Sequence, residues 1–105
     1  MRQTEFLEEL DDPIDRGGTV VLVFTRRKDH DRDRALGRLA RMLRRHEGIE
    51  SFHLDLGMLP QAAGRFTIYS TPAVAIYRRG KMVSKVEGSL DVTPLKRTLR
   101  SLSGS

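Results

Sequence analysis

The chain has 105 residues, 38% of them hydrophobic and 31% charged, an ordinary composition for one globular domain with a single core. It contains no cysteine, which excludes disulfides and thiol chemistry, and no apolar run approaches the ~20 residues of a membrane-spanning helix. The 19 basic residues exceed the 14 acidic ones, which gives a formal net charge of +5 and favours anionic partners.

We expect a single domain over residues 1–105, located in the cytoplasm. The first ten residues, MRQTEFLEEL, lack the apolar core of a signal peptide. A chain without cysteine is also compatible with a reducing compartment. The positive charge alone does not identify a partner, because arginine outnumbers lysine fifteen to four, and a compositional bias in the genome produces such an excess without selection for binding.

A first helix is predicted at residues 4–10, with Thr4 as its cap. The Asp-Asp-Pro sequence at 11–13 and the Gly pair at 17–18 are expected to end this helix. Its apolar face would consist of Phe6, Leu7 and Leu10.

A strand, a helix and a second strand are predicted next. Thr19–Thr25 is a continuous apolar and β-branched run, which is typical of a strand buried on both faces. Residues 31–46 have helical periodicity, and Phe52 and Leu54 alternate with polar residues as they would in a half-buried strand. This order predicts a βαβ unit in which the two strands are parallel.

The segment before the hairpin contains a short helix and a turn. Residues 60–66 predict the helix, and Ser70-Thr71-Pro72 predicts the turn. Two antiparallel strands are then expected at 73–77 and 82–87, joined through Arg78-Arg79-Gly80-Lys81.

The C-terminal segment predicts a last helix and a tail. The helix is expected to start near Asp91, because Val92, Leu95, Leu99 and Leu102 lie along one face. Residues 101–105 are expected to form a polar tail.

Two segments resemble the thioredoxin family: VVLVFTRRKDHDRDR at 20–34 and FTIYSTPAVAIYRRGKMVSKVEG at 66–88. The stretch DLGMLPQAAGRFTIYSTP at 55–72 is most similar to small bacterial thioredoxin-like proteins, and the order of elements matches over nearly the whole chain. The resemblance implies an α/β fold with a central mixed sheet of four or five strands and helices on both faces. It also implies a cis peptide bond between Thr71 and Pro72.

The sequence departs from the family at its redox motif. Where the family carries Cys-x-x-Cys, this chain has Asp29, His30, Asp31 and Arg32, and Val23 stands where many thioredoxins carry a buried acid. The resemblance places Asp29 at the start of a helix, where its carboxylate would bind the exposed N–H groups. A guanidinium in the position of the second cysteine would either turn outward or pair with a carboxylate such as Asp29. We therefore expect no oxidoreductase activity, no enzyme function and no cofactor.

The former redox surface is the first candidate binding site. In the family, the loop before the cis-proline offers its backbone to an extended segment of the partner. The resemblance therefore implies a redox-inactive protein that binds another protein as an adaptor, although a fold relic without this role is the competing interpretation. Together with Gly88, the groove would be formed by Asp29, His30, Asp31, Arg32, Ser70, Thr71 and Pro72.

A basic stripe is the second candidate site. A solvated helix face, an acidic protein partner, nucleic acid and an anionic membrane surface are all compatible with such a stripe. Aspartates interrupt its N-terminal end, and no aromatic residues are interleaved for base stacking. The alternative function is therefore a nucleic-acid-associated protein. The stripe consists of Arg34, Arg38, Arg41 and Arg45, spaced four, three and four residues apart.

Two further chemistries have weaker sequence support. Asp29, His30 and Asp31 have side chains that bind Mn²⁺ or Zn²⁺, but the arginines around them would repel a cation, and we expect a solvated helix cap without metal. Ser70 or Thr71 would need an activating base to act as a nucleophile, and His30 is the histidine that the fold would bring near them.

Overall fold

The computed structural model describes residues 1–103 and contains one five-stranded mixed sheet, with the strands in the order β1-β3-β2-β4-β5. The strands are β1 (Arg2–Gln3), β2 (Thr19–Thr25), β3 (Ile49–Asp55), β4 (Ala73–Arg78) and β5 (Lys81–Glu87). The helices are α1 (Asp11–Asp15), α2 (Arg32–Leu43), α3 (Gln61–Phe66) and α4 (Val92–Ser103), and a 3₁₀ turn at Leu7–Leu10 precedes α1. No helix within residues 1–103 is both long enough and apolar enough to cross a bilayer.

Strand β2 lies at the centre of the sheet, and all seven of its residues are buried. It pairs with β3 in parallel and with β4 in antiparallel, so Phe24 has Leu54 on one side and Ala73 on the other. The predicted parallel βαβ unit is therefore confirmed. The continuous apolar sequence of β2 is explained by this position, since both faces of a central strand are covered by helices.

The core has one layer on each face of the sheet. Alternate residues of β2 point to opposite faces, so Val20, Leu22 and Phe24 belong to one cluster, whereas Val21 and Val23 belong to the other. The first cluster is closed by the 3₁₀ turn, α1 and α3, and the second by α2 and α4. Helices on both faces of a mixed five-stranded sheet are the architecture that the resemblance implied.

The N-terminal segment differs from the prediction. Thr4 is buried and caps no helix; its N–H donates to the carbonyl of His53 at 2.9 Å, which extends the pairing of β1 with β3. Helical structure begins at Leu7 instead, because the Glu9 carboxylate accepts the N–H of Phe6 at 3.0 Å. Phe6 itself is 64% exposed, so it does not belong to the predicted apolar face.

The predicted breaker at 11–13 lies inside α1. Pro13 is the third residue of this helix, and a proline in the first turn removes no intrahelical donor. The C-terminal boundary also moves: α4 continues through Ser103, so the predicted polar tail is wrong for residues 101–103. Residues 104 and 105 of that prediction lie outside the described part of the chain.

Candidate binding site

A polar network joins the loop after β2 to the turn before β4. Asp29 accepts the backbone N–H of Arg26 with Oδ2 at 2.7 Å, and it accepts the hydroxyl of Thr71 with Oδ1 at 2.9 Å. The guanidinium of Arg26 donates in turn to the Thr71 hydroxyl at 3.2 Å. The network is partly buried, so its hydrogen bonds are less exposed to competition from water. Segments 42 residues apart in sequence are thereby held together.

This geometry corrects the role expected for Asp29. Helix α2 begins only at Arg32, with Asp31 as the residue before it in a left-handed conformation (φ 55°). Asp29 therefore precedes the helix, and its two oxygens bind Arg26 and Thr71 instead of the N–H groups of the first helical turn. The carboxylate fixes the turn that contains Thr71.

The peptide bond between Thr71 and Pro72 is cis. The carbonyl of Pro72 accepts the N–H of Gly88 at 2.7 Å, and Gly88 has φ +92°, a conformation that L side chains rarely adopt. Within residues 1–103, the backbone N–H and C=O of Thr71 form no hydrogen bond. A free backbone donor and acceptor on one loop residue can pair with the backbone of another chain.

Glu87 anchors the other side of this loop. Its Oε1 accepts the N–H of Ser70 at 2.8 Å and also the N–H of Tyr69. The backbone hydrogen bonds from Ser70 and Tyr69 lower the pKa of Glu87, because they stabilise the carboxylate form. Glu87 was not among the predicted site residues. The available signal was its position at the end of the second hairpin strand, which lies beside the start of the first.

Arg32 also binds a carboxylate other than the expected one. Its Nη1 lies 3.3 Å from Oδ2 of Asp55 at the end of β3, and its Nε lies 3.5 Å from Asp33. The side chains of Arg32 and Asp55 are 23% and 17% exposed. The guanidinium is therefore paired while partly buried, and Asp29, which the sequence suggested as its partner, is engaged with Thr71.

Five of the seven residues predicted for the former redox surface line one groove of about 490 Å³ between the 26–32 loop, α2 and the start of α4, and Arg38 of the basic stripe lines it as well. The opposite wall is formed by Gly88, Ser89, Leu90, Asp91 and Val92. Ser70 and Thr71 do not line this groove; they lie at its edge, bound to Glu87 and Asp29. We call this cleft the redox-site groove. Its predicted members are Asp29, His30, Asp31, Arg32 and Pro72.

The basic stripe divides into two parts. Arg34 lies 3.9 Å from the Asp31 carboxylate, whereas Arg38, Arg41 and Arg45 are exposed and have no carboxylate within 4.0 Å among residues 1–103. These three arginines line a second groove of about 230 Å³ between α2 and α4, together with Met42, Val92 and Lys96. We call this cleft the basic groove.

The structure favours neither of the weaker chemistries. No group of three His, Asp or Glu side chains within residues 1–103 is arranged to hold a metal ion, the acidic run at 29–31 included. The Thr71 hydroxyl is bound by Asp29 and Arg26, and no histidine within residues 1–103 is hydrogen-bonded to it as a base.

His53 connects β1 to the centre of the sheet. Its Nδ1 lies 2.7 Å from the amide oxygen of Gln3, which can only accept, so Nδ1 carries the proton and Nε2 accepts the Thr25 hydroxyl at 2.8 Å. Burial lowers the pKa of His53 below its usual 6.5; Asp55 and Asp33 oppose this shift, and Arg32 adds to it. His53 is one of the polar residues that alternate with Phe52 and Leu54 in β3, and it is half-buried.

We expect the free energy of unfolding to fall as the pH drops below about 6.5. The unfolded chain takes up a proton on His53 near pH 6.5, whereas the folded chain takes it up only at lower pH, so the unfolded state is favoured in between. Urea unfolding between pH 7 and 5 measures this. His53→Gln does not titrate and should flatten the profile; an identical slope in that variant would contradict the assignment to His53.

Comparison with solved structures identifies the fold. The Fasciola hepatica thioredoxin superposes with a TM-score of 0.85 at 18% identity, covering 96% of this chain and 98% of that one. Mitochondrial thioredoxin 3 from Saccharomyces cerevisiae gives 0.84 at 15% identity, with coverage of 96% and 94%. A designed protein gives 0.86 at 24% identity, with coverage of 96% and 90%. No protein-family model and no curated protein sequence matches this chain.

The protein therefore has the thioredoxin fold. It lacks the cysteine pair of the redox motif, because the whole chain contains no cysteine. The predicted α/β architecture, with its mixed sheet of up to five strands, is confirmed. Fold similarity at this level of identity leaves the function to be argued from the site.

Proposed function

We propose that this thioredoxin-fold protein is a redox-inactive adaptor, not an enzyme, and that it binds an extended segment of another protein at the redox-site groove. The observation that carries the proposal is the backbone of Thr71. Its N–H and C=O have no partner among residues 1–103, although the same residue is held in place through its side chain. A fixed loop with a free backbone donor and acceptor favours strand-like addition of a peptide.

The surroundings of Thr71 support this proposal. Glu87 fixes the loop from one side and the Asp29–Arg26 network fixes it from the other, so little conformational entropy remains to be lost on binding. The groove beside it contains apolar contact surface from Ala35, Leu90 and Val92. A partner can therefore gain backbone hydrogen bonds and apolar burial at the same site without any thiol chemistry.

The origin and location of the protein, its individual contact residues and the alternative function are proposals or remain predictions. A bacterial origin and a cytoplasmic location rest on the sequence alone. The site residues, including Ser70 at the edge of the groove, are proposed contacts. The alternative of a nucleic-acid-associated protein is favoured by one observation, the unpaired arginines of α2, and it predicts an affinity that falls steeply with added salt.

Site-specific photo-crosslinking tests the proposed function. We would place a benzophenone amino acid at His30, which is exposed and lines the redox-site groove, and at Glu8, which is exposed in the 3₁₀ turn on the other face of the sheet. Irradiation in a nuclease-treated lysate of the source organism should give a discrete protein adduct from position 30 and not from position 8.

The adduct should disappear when the groove is filled. Ala35→Gln adds bulk beside the groove at a helical position that accepts glutamine, whereas Glu47→Gln is an exposed control after α2. Identical adducts from positions 30 and 8, or an adduct that survives Ala35→Gln, would contradict binding at this groove. An adduct that contains nucleic acid, forms in an untreated lysate and vanishes with nuclease would support the alternative.

A further inference from the structure

We propose that the segment bound by this protein is acidic, and that its carboxylates lie in the basic groove while its neighbouring residues occupy the redox-site groove. The inference rests on the proposed function, because it assigns chemistry to the same partner. The observation that supports it independently is a set of four cations that line one groove between α2 and α4: Arg38, Arg41, Arg45 and Lys96.

These cations differ from the ion-paired basic side chains of the protein. Arg16, Arg32, Arg65 and Lys85 each have a carboxylate oxygen within 4.0 Å. Arg38, Arg41, Arg45 and Lys96 have none among residues 1–103, although they share one groove. Like charges held close together repel one another, and an anion placed between them relieves that repulsion.

The floor of the basic groove is apolar. Met42 is buried to 6% exposure, and Val92 is partly buried against the same core cluster. Arginine and lysine stems lie along such surfaces while their charged ends face solvent. The groove therefore offers methylene and apolar contacts to a side-chain stem and cations to its carboxylate, which suits glutamate.

The two grooves are continuous. Arg38 and Val92 line both, so a single segment can pass from Pro72 toward Arg45 without leaving the surface. Arg38 and Arg45 are seven positions apart, the last two of them beyond the end of α2 at Leu43. At the helical rise this is about 10 Å, which corresponds to about three extended residues. A short acidic run of three or four residues therefore spans the basic groove.

The charges also set the order of the partner's residues. The redox-site groove contains Asp29, Asp31 and Asp91, which disfavour carboxylates, and among residues 1–103 no acidic side chain lines the basic groove. Uncharged residues should therefore lie beside Pro72 and acidic residues beyond Arg38. Complementary charge placed in this way fixes the register of the bound segment.

A peptide fits these grooves better than a nucleic acid does. In the described part of the chain, no Phe or Tyr lines either groove, so bases would have no aromatic side chain there on which to stack. The free N–H and C=O of Thr71 can pair with the backbone of a peptide.

Titration with defined peptides, followed by backbone amide NMR shifts, tests the inference. The acidic peptide is capped at both ends and consists of six residues of alternating Ala and Val followed by four Glu; a second acidic peptide has the reversed sequence. The control peptides have Gln in place of each Glu. Of the two acidic peptides, we expect the one that binds more tightly to have roughly tenfold higher affinity than its Gln counterpart. The additional shifts should map to Arg38, Arg41, Arg45 and Lys96.

Matched variants separate the inference from the proposed function. The double substitution of Arg38→Gln and Arg41→Gln should remove most of the preference for the Glu peptide over the Gln peptide. Arg97→Gln also removes one positive charge, from an exposed residue of α4 outside the groove, and should retain that preference. Equal affinity of the Glu and Gln peptides, with shifts at Thr71 and Gly88 for both, would overturn the inference and leave the proposed function standing.

Other outcomes are equally decisive. An acidic preference that depends on Arg38 and Arg41, without any shift at Thr71, would support the basic groove and contradict the proposed function. No shift at either groove up to the solubility of the peptides would overturn both. Stronger binding of a dT oligonucleotide than of the acidic peptide, lost in the same double variant, would overturn the inference in favour of nucleic acid.

Discussion

Replacing Phe66 by alanine should lower the free energy of unfolding by about 3–5 kcal/mol, the largest effect we expect from a single substitution. Phe66 ends α3 and is 1% exposed. Its ring centroid lies 5.5 Å from that of Phe24 in β2 and 6.1 Å from that of Tyr77 in β4. The substitution removes two aromatic contacts and leaves a cavity beneath the strands that carry the site loops.

This loss is large compared with the total stability of a domain of this size, about 5–15 kcal/mol. Urea unfolding of Phe66→Ala should show a lower midpoint with an unchanged slope. Met58→Ala is the matched control, because Met58 is 72% exposed and the change should stay within about 0.5 kcal/mol. Similar destabilisation by both substitutions would contradict the packing described for Phe66.

The elements that the sequence predicted well are those whose burial pattern is local. The β2 run, the hairpin and α4 each carry their periodicity within a dozen residues, and the structure places β2, the hairpin strands and the start of α4 within one or two residues of the prediction. Strand β1 was missed because it has only two residues and pairs with a strand some fifty positions away. No local pattern marks such a strand, and the polar Thr4 beside it instead favoured a helix cap.

The candidate site was predicted only in part, because some of its partners are distant from one another in sequence. The motif positions located the loop at 26–32 and the turn at 71–72, but not the side chains that hold them. Glu87 binds amides 17 and 18 positions away, and Asp55 binds Arg32 from 23 positions away. These partners follow from the strand order, which brings the end of β5 to the start of β4 and the end of β3 to the start of α2.

Replacing Asp55 by alanine should lower the free energy of unfolding by about 1–3 kcal/mol. Asp55 accepts the N–H of Gly57 with Oδ1 at 2.8 Å and the guanidinium of Arg32 with Oδ2 at 3.3 Å. The substitution therefore leaves a partly buried guanidinium without this carboxylate. Because both side chains retain some exposure, solvent limits the cost below that of a fully buried pair.

Removal of the other partner should cost less. Arg32→Met keeps most of the buried stem and eliminates the charge that needs compensation, and in the double variant the cost of Asp55→Ala should shrink, because no guanidinium is left unpaired. Denaturation of both single variants and the double variant measures this coupling. Strictly additive losses would mean that the pair contributes nothing beyond the Gly57 hydrogen bond.

The same variants should shift the pKa of His53 in opposite directions, which separates charge effects from general loosening. Asp55 raises the pKa of His53 and Arg32 lowers it, both against the larger effect of burial. NMR titration should therefore find a lower His53 pKa in Asp55→Ala and a higher one in Arg32→Met. Loosening of β3 would admit water and raise the pKa in both. A rise in Asp55→Ala would therefore indicate that Asp55 acts by holding the strand in place.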